Sequence, residues 1–263
     1  MTSTAAPALC VRNLELRFGG LVAVADLSFD VREGEVLSLI GPNGAGKTSA
    51  FNAITGYIPA ASGTIEYRGQ PLNGLRPNQI ASHGVIRTFQ KTSVFAGQTA
   101  RDNVLIGLHR RSRQTAFAII LGLASVQREE AELAEQAQAI LDFIGLGARA
   151  AELGSALPYG EQRLLEVAVA LAAEPSLLLL DEPVSGMNAS ETESFMRLLA
   201  KIRARGITIL LVEHDMRMVM GVSDRIVVLN QGRIIADGPP TAIQRDPAVI
   251  RAYLGEKFAR AHG

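Results

Sequence analysis

The chain is short of cysteine, of surplus charge and of long apolar runs, and each shortage closes off a class of protein. Cys10 is the single cysteine, so no disulfide framework can form within the chain, which suits a reducing compartment. Lys plus Arg number 26 and Asp plus Glu number 26, a formal net charge of zero. A nucleic-acid binder ordinarily carries a basic surplus, so no nucleic-acid partner is expected. The start, Met1 to Leu9, lacks the positive-then-apolar order of a secretory signal. The longest uncharged apolar stretch, Ala116 to Val126, is too short for a bilayer, which takes about 20 residues. The expectation is a cytosolic chain that reaches a membrane only by docking on something else.

What is present is ample apolar material: 48% of 263 residues, enough for one sizeable domain or a domain with a smaller insertion. Val11 to Phe18 alternates as a strand does, and Glu35 to Ile40 is a short apolar run ending at a glycine, as a buried strand does. Gly63 to Tyr67 and Arg225 to Asp237 read as hairpin strands, the second pair turning at Asn230-Gln231-Gly232. From Arg101 to Gly145 the period becomes helical, most clearly over Ser125 to Ile144 with Leu133, Ala137, Ile140 and Leu141 on one face. Strand signals return at Ser176 to Leu180 and Ile207 to Val212. The helix between them is expected to start in a capping box of Ser190 and Glu193. Phe195, Leu198, Leu199 and Ile202 form its buried stripe, and Gly206 ends it. The pattern predicts an α/β core interrupted by a helical insertion of roughly 60 residues.

Gly41-Pro42-Asn43-Gly44-Ala45-Gly46-Lys47-Thr48 fits G-x-x-x-x-G-K-[ST], with an apolar strand before it and a helix, expected from Lys47 and carrying Ser49, behind it. Glycines let successive N–H groups face one point, and the positive end of the helix suits a polyphosphate. Lys47 then neutralises phosphate charge, and the Thr48 hydroxyl is a Mg²⁺ ligand. Leu177 to Leu180 is an apolar run that ends in Asp181 and Glu182. A buried strand of this kind delivers Asp181 to the edge where the loop lies, as a Mg²⁺ partner, and Glu182 as general base for an attacking water. His214 follows the next strand and is placed to hold that water or donate to a terminal phosphate. Met216, Met218 and Met220 read as core filler. Arg110, Arg111 and Arg113 suit either anionic lipid, a membrane protein or solvent.

Taken together, the loop, the Leu177–Pro183 strand, His214, Gln90 in Arg87-Thr88-Phe89-Gln90 and Leu157-Pro158-Tyr159-Gly160-Glu161 resemble, in order, the motifs of ABC-transporter ATPases. The resemblance covers about Leu9 to Leu254. It implies a P-loop, RecA-like α/β core with an antiparallel β subdomain (9–90 and 161–237), a helical subdomain with the signature (91–160) and a helical tail (238–263). It also implies ATP and Mg²⁺ as cofactors. Phe18 is implied to stack on adenine, Gln90 to meet Mg²⁺ or the water, and Pro158, Tyr159, Gly160 and Glu161 to close over ATP held by a second ATPase subunit. Ser185 to Asn188 is implied to cross that dimer interface.

Two positions depart from the family pattern. Pro158 stands where serine is usual, so one phosphate contact worth roughly 1.5–3 kcal/mol is absent, although proline suits a first helical position. Asn188 stands where aspartate is usual. Both, with Phe18-Gly19-Gly20-Leu21 and the ending Val249 to Gly255, are similar to the longer ATPase of branched-chain amino acid importers. That resemblance implies membrane permease subunits, a paralogous or identical second ATPase and, indirectly, a periplasmic solute-binding protein as partners. The implied location is the cytoplasmic face of the inner membrane. Import of urea or a short amide, lipopolysaccharide export, and a soluble ABC ATPase remain open from the residues alone.

Overall fold

The computed structural model of the chain describes residues 7–88, 94–109 and 124–253. The chain divides into two compact units: Met1–Arg87, Ser176–Pro183 and Thr192–Gly263 form the first, Thr88–Pro175 and Val184–Glu191 the second. The basic cluster at Arg110, Arg111 and Arg113, and Gln90, lie outside the described residues.

The first unit holds two sheets. One has four antiparallel strands in the order β2-β1-β4-β5, from β1 (Pro7–Phe18), β2 (Leu21–Arg32), β4 (Ser62–Tyr67) and β5 (Gln70–Pro71). The other has six strands in the order β10-β9-β3-β8-β7-β6. These are β3 (Val36–Ile40), β6 (Val85–Arg87), β7 (Leu177–Asp181), β8 (Thr208–Val212), β9 (Arg225–Asn230) and β10 (Arg233–Gly238). All neighbours in it run parallel except β9 and β10. Every residue of β3, β7 and β8 is buried, because a parallel sheet covered on both faces leaves no side for water. Their sequences are therefore continuous apolar runs rather than alternations. Leu14, Leu16 and Leu27 of the small sheet pack with Leu37, Leu179 and Leu210 of the large one and with Phe51 and Ile54 of helix α1 (Lys47–Ile54) in one core.

Strand β2 was not apparent in the sequence, and its buried residues explain why. Val24 and Leu27 lie three apart, where an unbroken strand would bury every second residue. Asp26 adopts φ 59° there and Asn13 on β1 adopts φ 47°. The pairing shifts register at both places, and the Asn13 amide donates to the Asp26 carboxylate at 2.7 Å. Asn and Asp tolerate this left-handed backbone, which allows a bulge in each strand. The expected turn between β9 and β10 is present, with Gln231 at φ 48° and Gly232 at φ 77°, the two-residue turn whose twist matches a hairpin.

Helix α2 (Pro77–Ser82) lies between β5 and β6. In the second unit, α3 (Ala100–His109), α4 (Ala124–Ile144) and α5 (Tyr159–Ala172) form a helical cluster. Ala137 and Leu141 of α4 are buried as expected, while Leu133 and Ile140 are only half-buried. Helix α6 (Ala189–Ala204) buries Phe195, Leu198, Leu199 and Ile202, the stripe read from the sequence. Its cap is elsewhere than expected. The helix begins at Ala189, so Ser190 is already inside it, and Asn188 is the cap. The Asn188 side-chain oxygen accepts N–H of Ser190 (2.9 Å) and Glu191 (3.0 Å), and Glu191 reciprocally accepts N–H of Asn188 at 2.8 Å. Glu193, one turn further on, instead meets Arg197 at 3.7 Å and Arg217 at 3.4 Å. Helix α7 (Met216–Val222) follows β8; Met218 is fully buried, and Met216 and Met220 are partly buried against a cluster of Ile40, Val219, Ile226 and Val228. Helix α8 (Pro240–Ile243) and a helical stretch over 247–253 complete the described chain, and Val249 joins that cluster. Among the described residues, no helix is long and apolar enough to cross a membrane.

Candidate nucleotide site

The loop Gly41–Thr48 joins β3 to α1, and two of its glycines are required by close approach. A Cβ on Gly41, whose φ is 151°, would lie 2.0 Å from the carbonyl oxygen of Leu229; one on Gly46, at φ 103°, would lie 2.8 Å from that of Ala23. The loop is thus wedged against β9 and β2. The hairpin turn locks it further: Gly232 N–H donates to Ala45 C=O at 3.0 Å, and Ala25 N–H to Gly232 C=O at 2.9 Å. Lys47 is 8% exposed, and its Nζ arches back to donate to the carbonyls of Gly41 (2.7 Å) and Pro42 (2.9 Å). Asn43, Gly44 and Thr48 are exposed. The first turn of α1 has no side-chain cap and no acidic residue, so the positive end of the helix suits an anion.

Asp181 ends β7 and Glu182 follows it, with N–H donating to Val212 C=O at 2.8 Å. Glu182 has φ 48°, a left-handed backbone rare for a non-glycine residue and common at working sites. Asp181 is 1% exposed; its Oδ2 accepts from Arg87 Nη2 at 2.7 Å, and its Oδ1 is buried with no hydrogen-bond partner. Such an orphaned anionic oxygen fits a hydrated Mg²⁺, which takes few ligands from protein and the rest from water and phosphate. His214 follows β8 and is exposed, its Nδ1 3.8 Å from Glu182 Oε1. Buried Glu213 accepts N–H of His214 (2.8 Å) and Asp215 (3.2 Å), and Asp215 caps α7. Because β8 lies between β3 and β7, the sheet brings loop, histidine and both carboxylates to one edge. Phe18 is 48% exposed, so its ring is not in the core. It pairs with Leu21 at the tip of the β1–β2 hairpin, next to the Ala23–Val24 segment that touches Gly46.

In the second unit, α5 starts at Tyr159 with Pro158 as its cap residue, one position before the first helical position expected of it. Proline supplies φ −53° there with ψ 152°, and its carbonyl accepts N–H of Gln162 at 2.9 Å. The Tyr159 hydroxyl accepts from Arg163 at 2.8 and 3.1 Å, and Arg163 also pairs with Glu166 at 3.0 Å. Burial works against the Arg163 charge, but Glu166 and Tyr159 outweigh it and hold its pKa above the usual value. The Tyr159 ring covers Gly186, where a Cβ would lie 2.9 Å from it, and Gly160 faces Glu191, whose carboxylate a Cβ would meet at 2.8 Å. Glu161 pairs with Arg149 at 3.0 Å. The sequence alone assigns no role to Arg87, Glu213 or Arg163. The available signal was a charged residue at the end of, or inside, an otherwise buried element.

A G-x-x-x-x-G-K-T loop between a buried parallel strand and a helix, at the same sheet edge as a carboxylate pair two strands away, defines a P-loop nucleotide-binding protein. Comparison narrows the class. The ABC transporter family model matches residues 24–185, and a branched-chain amino acid ATP-binding cassette transporter model matches residues 233–259. The chain belongs to the ABC transporter family, as one of its transport ATPases. It is 46% identical over 251 residues to the high-affinity branched-chain amino acid transport ATP-binding protein LivG of Salmonella typhimurium (95% of this chain, 98% of LivG). It is 43% identical over 251 residues to BraF of Pseudomonas aeruginosa, which has the same description (95% and 98%). The ADP conformation of MJ1267, an ATP-binding cassette of an ABC transporter, superimposes with a TM-score of 0.84 at 29% identity, covering 95% of this chain and 100% of that one.

Proposed function

We propose that this chain hydrolyses ATP to drive uptake of branched-chain amino acids, as a peripheral subunit on the cytoplasmic face of a membrane permease pair. The observation that carries the catalytic half is the meeting of Lys47, the unpartnered Asp181 Oδ1, Glu182 and His214 at one edge of the parallel sheet. The near full-length likeness to LivG and BraF supports the substrate half.

In this reading the N–H groups of Gly44 to Ser49 and Lys47 bind the phosphates, and Phe18 lies against adenine. Thr48 and Asp181, with Gln90, hold Mg²⁺, which when bound offsets phosphate charge. Glu182 accepts the proton of the attacking water, and His214 orients that water and steadies the terminal phosphate. Pro158, Tyr159, Gly160 and Glu161 face the ATP of a second ATPase subunit, a paralogue or a second copy. Hydrolysis removes contacts shared by both subunits, and the helical segment 91–160 passes the opening to the permeases. A periplasmic solute-binding protein delivers the solute.

Disrupting the gene and measuring uptake of labelled leucine, isoleucine and valine tests the assignment. Uptake should fall and return with the wild-type chain but not with Glu182→Gln. Normal uptake of all three, with loss of urea or amide uptake, would assign a different solute. A chain that never co-fractionates with membranes in the presence of its permeases would have no transport role.

A further inference from the structure

Arg87 ends β6, and its guanidinium is buried, 7% exposed. One nitrogen, Nη2, donates to Asp181 Oδ2 at 2.7 Å. The other, Nη1, donates to Asn52 Oδ1 (2.7 Å) and Thr55 Oγ1 (3.2 Å), and the group lies 5.5 Å over the Phe51 ring. Phe51 and Asn52 lie in the second half of α1, the helix that begins at Lys47 and Thr48, and Thr55 is its C-terminal cap residue, its hydroxyl donating to Phe51 C=O at 2.6 Å.

The geometry is unusual for its type. An arginine beside a carboxylate commonly engages both oxygens through a two-pronged fork. Here the fork is split, one prong on the carboxylate and one on the helix. The split neutralises Asp181 in a site where an unpaired anion is costly, yet leaves Oδ1 without a hydrogen-bond partner. It also makes a rigid link between the strand that carries Asp181 and the helix that carries Thr48, because a planar guanidinium fixes both ends at once.

We propose that Arg87 is a positioning residue for the Mg²⁺–nucleotide complex. It turns Asp181 so that Oδ1 alone faces the ion, and holds Asp181 and Thr48 at a fixed spacing through α1. The inference rests on the reading above in which Asp181 and Thr48 face Mg²⁺. A merely structural ion pair would lower stability when cut but would leave metal-free and metal-bound nucleotide equally affected.

The test measures affinity for a fluorescent ATP analogue by titration, with excess Mg²⁺ and again with EDTA, on wild type, Arg87→Met, Arg87→Lys, Asn52→Ala and Asp181→Asn. Thermal melting of each serves as the folding check. In Arg87→Met the Mg²⁺-dependent gain in affinity should fall roughly tenfold or more, the loss of one charge-assisted hydrogen bond. Affinity in EDTA should stay within about twofold, because the phosphate loop is untouched. Arg87→Lys, which reaches one end of the link but not both, and Asn52→Ala, which frees the helix end, should each lose part of the gain. If Asp181→Asn loses the gain while Arg87→Met keeps it, the inference is overturned and the metal reading stands. If Asp181→Asn also keeps it, the metal reading falls and takes the inference with it. Should Arg87→Met not fold, Arg87→Lys and Asn52→Ala decide, and an unchanged gain in both overturns the proposal.

Discussion

Changing Glu182 to glutamine tests the proposed general base apart from everything else the residue does. The two side chains have the same shape, and the position is fixed by the main chain, through the N–H bond to Val212 C=O at 2.8 Å and the left-handed φ of 48°. Neither depends on charge, so the amide should occupy the place of the carboxylate, and the loop at Gly41–Thr48 should be undisturbed. What is lost is the ability to take a proton. A positioned general base contributes about 10²–10⁴-fold, or about 2.7–5.5 kcal/mol at 1.36 kcal/mol per decade. The exposed His214 lies 3.8 Å away, and in the proposed mechanism it orients the water rather than replacing the base. Phosphate release at saturating Mg²⁺–ATP, measured beside equilibrium nucleotide binding on the same preparation, should give a kcat lower by about 10²–10⁴ at an affinity within about twofold of wild type. Nucleotide-bound dimer should accumulate on gel filtration. Turnover within tenfold of wild type at unchanged affinity would place the base elsewhere and refute the assignment.

Three further outcomes follow from distances given above. Asn188→Ala removes two capping bonds and should cost about 0.5–2 kcal/mol, read as a melting shift of roughly 1–8 °C at about 2–4 °C per kcal/mol, while Asn188→Asp keeps both bonds and should melt within about 1 °C of wild type. Gly41→Ala puts a Cβ 2.0 Å from a backbone oxygen that belongs to a buried strand; an unfolding free energy lower by about 1–3 kcal/mol or more, read from denaturant titration, should accompany weaker nucleotide binding. Phe18→Ala should leave stability within about 0.5 kcal/mol, as an exposed position does, yet weaken ATP by about 1–3 kcal/mol if its ring lies on the base. An unchanged dissociation constant would remove Phe18 from the site.

The parallel core was readable because burial on both faces turns β3, β7 and β8 into short continuous apolar runs, each followed by glycine or by charged candidate residues. The turn at Gln231-Gly232 was readable from residue chemistry alone. The failures share a different cause. Strand β2 hides because the bulge at Asp26 changes the parity of its buried positions halfway along. Strand β6 hides because three residues carry no period. The α6 cap was misplaced by two residues because serine and glutamate at the right spacing satisfy the capping pattern whether or not the helix starts there, and only the backbone distinguishes Ser190 from Asn188.

The departures from the family pattern look different once their neighbours are known. Asn188 replaces an aspartate but supplies the same side-chain oxygen to the same end of a helix, so the substitution preserves the local geometry and forfeits only a charge. Pro158 forfeits a hydroxyl, but it sits where the chain turns into α5, so the first N–H groups of that helix remain as donors. Tyr159 then adds what a smaller residue could not: its ring lies over Gly186 and its hydroxyl is held by Arg163, itself fixed by Glu166. With Glu191 set against Gly160 and bonded to Asn188 N–H, the signature segment and the loop Ser185–Asn188 are braced together within the second unit. A change in either is therefore a change in both. Asn188→Ala tests this physically: besides the lost cap, it should loosen Glu191, and protection of the Gln162 amide, which donates to Pro158 C=O at 2.9 Å, should fall with it in hydrogen exchange.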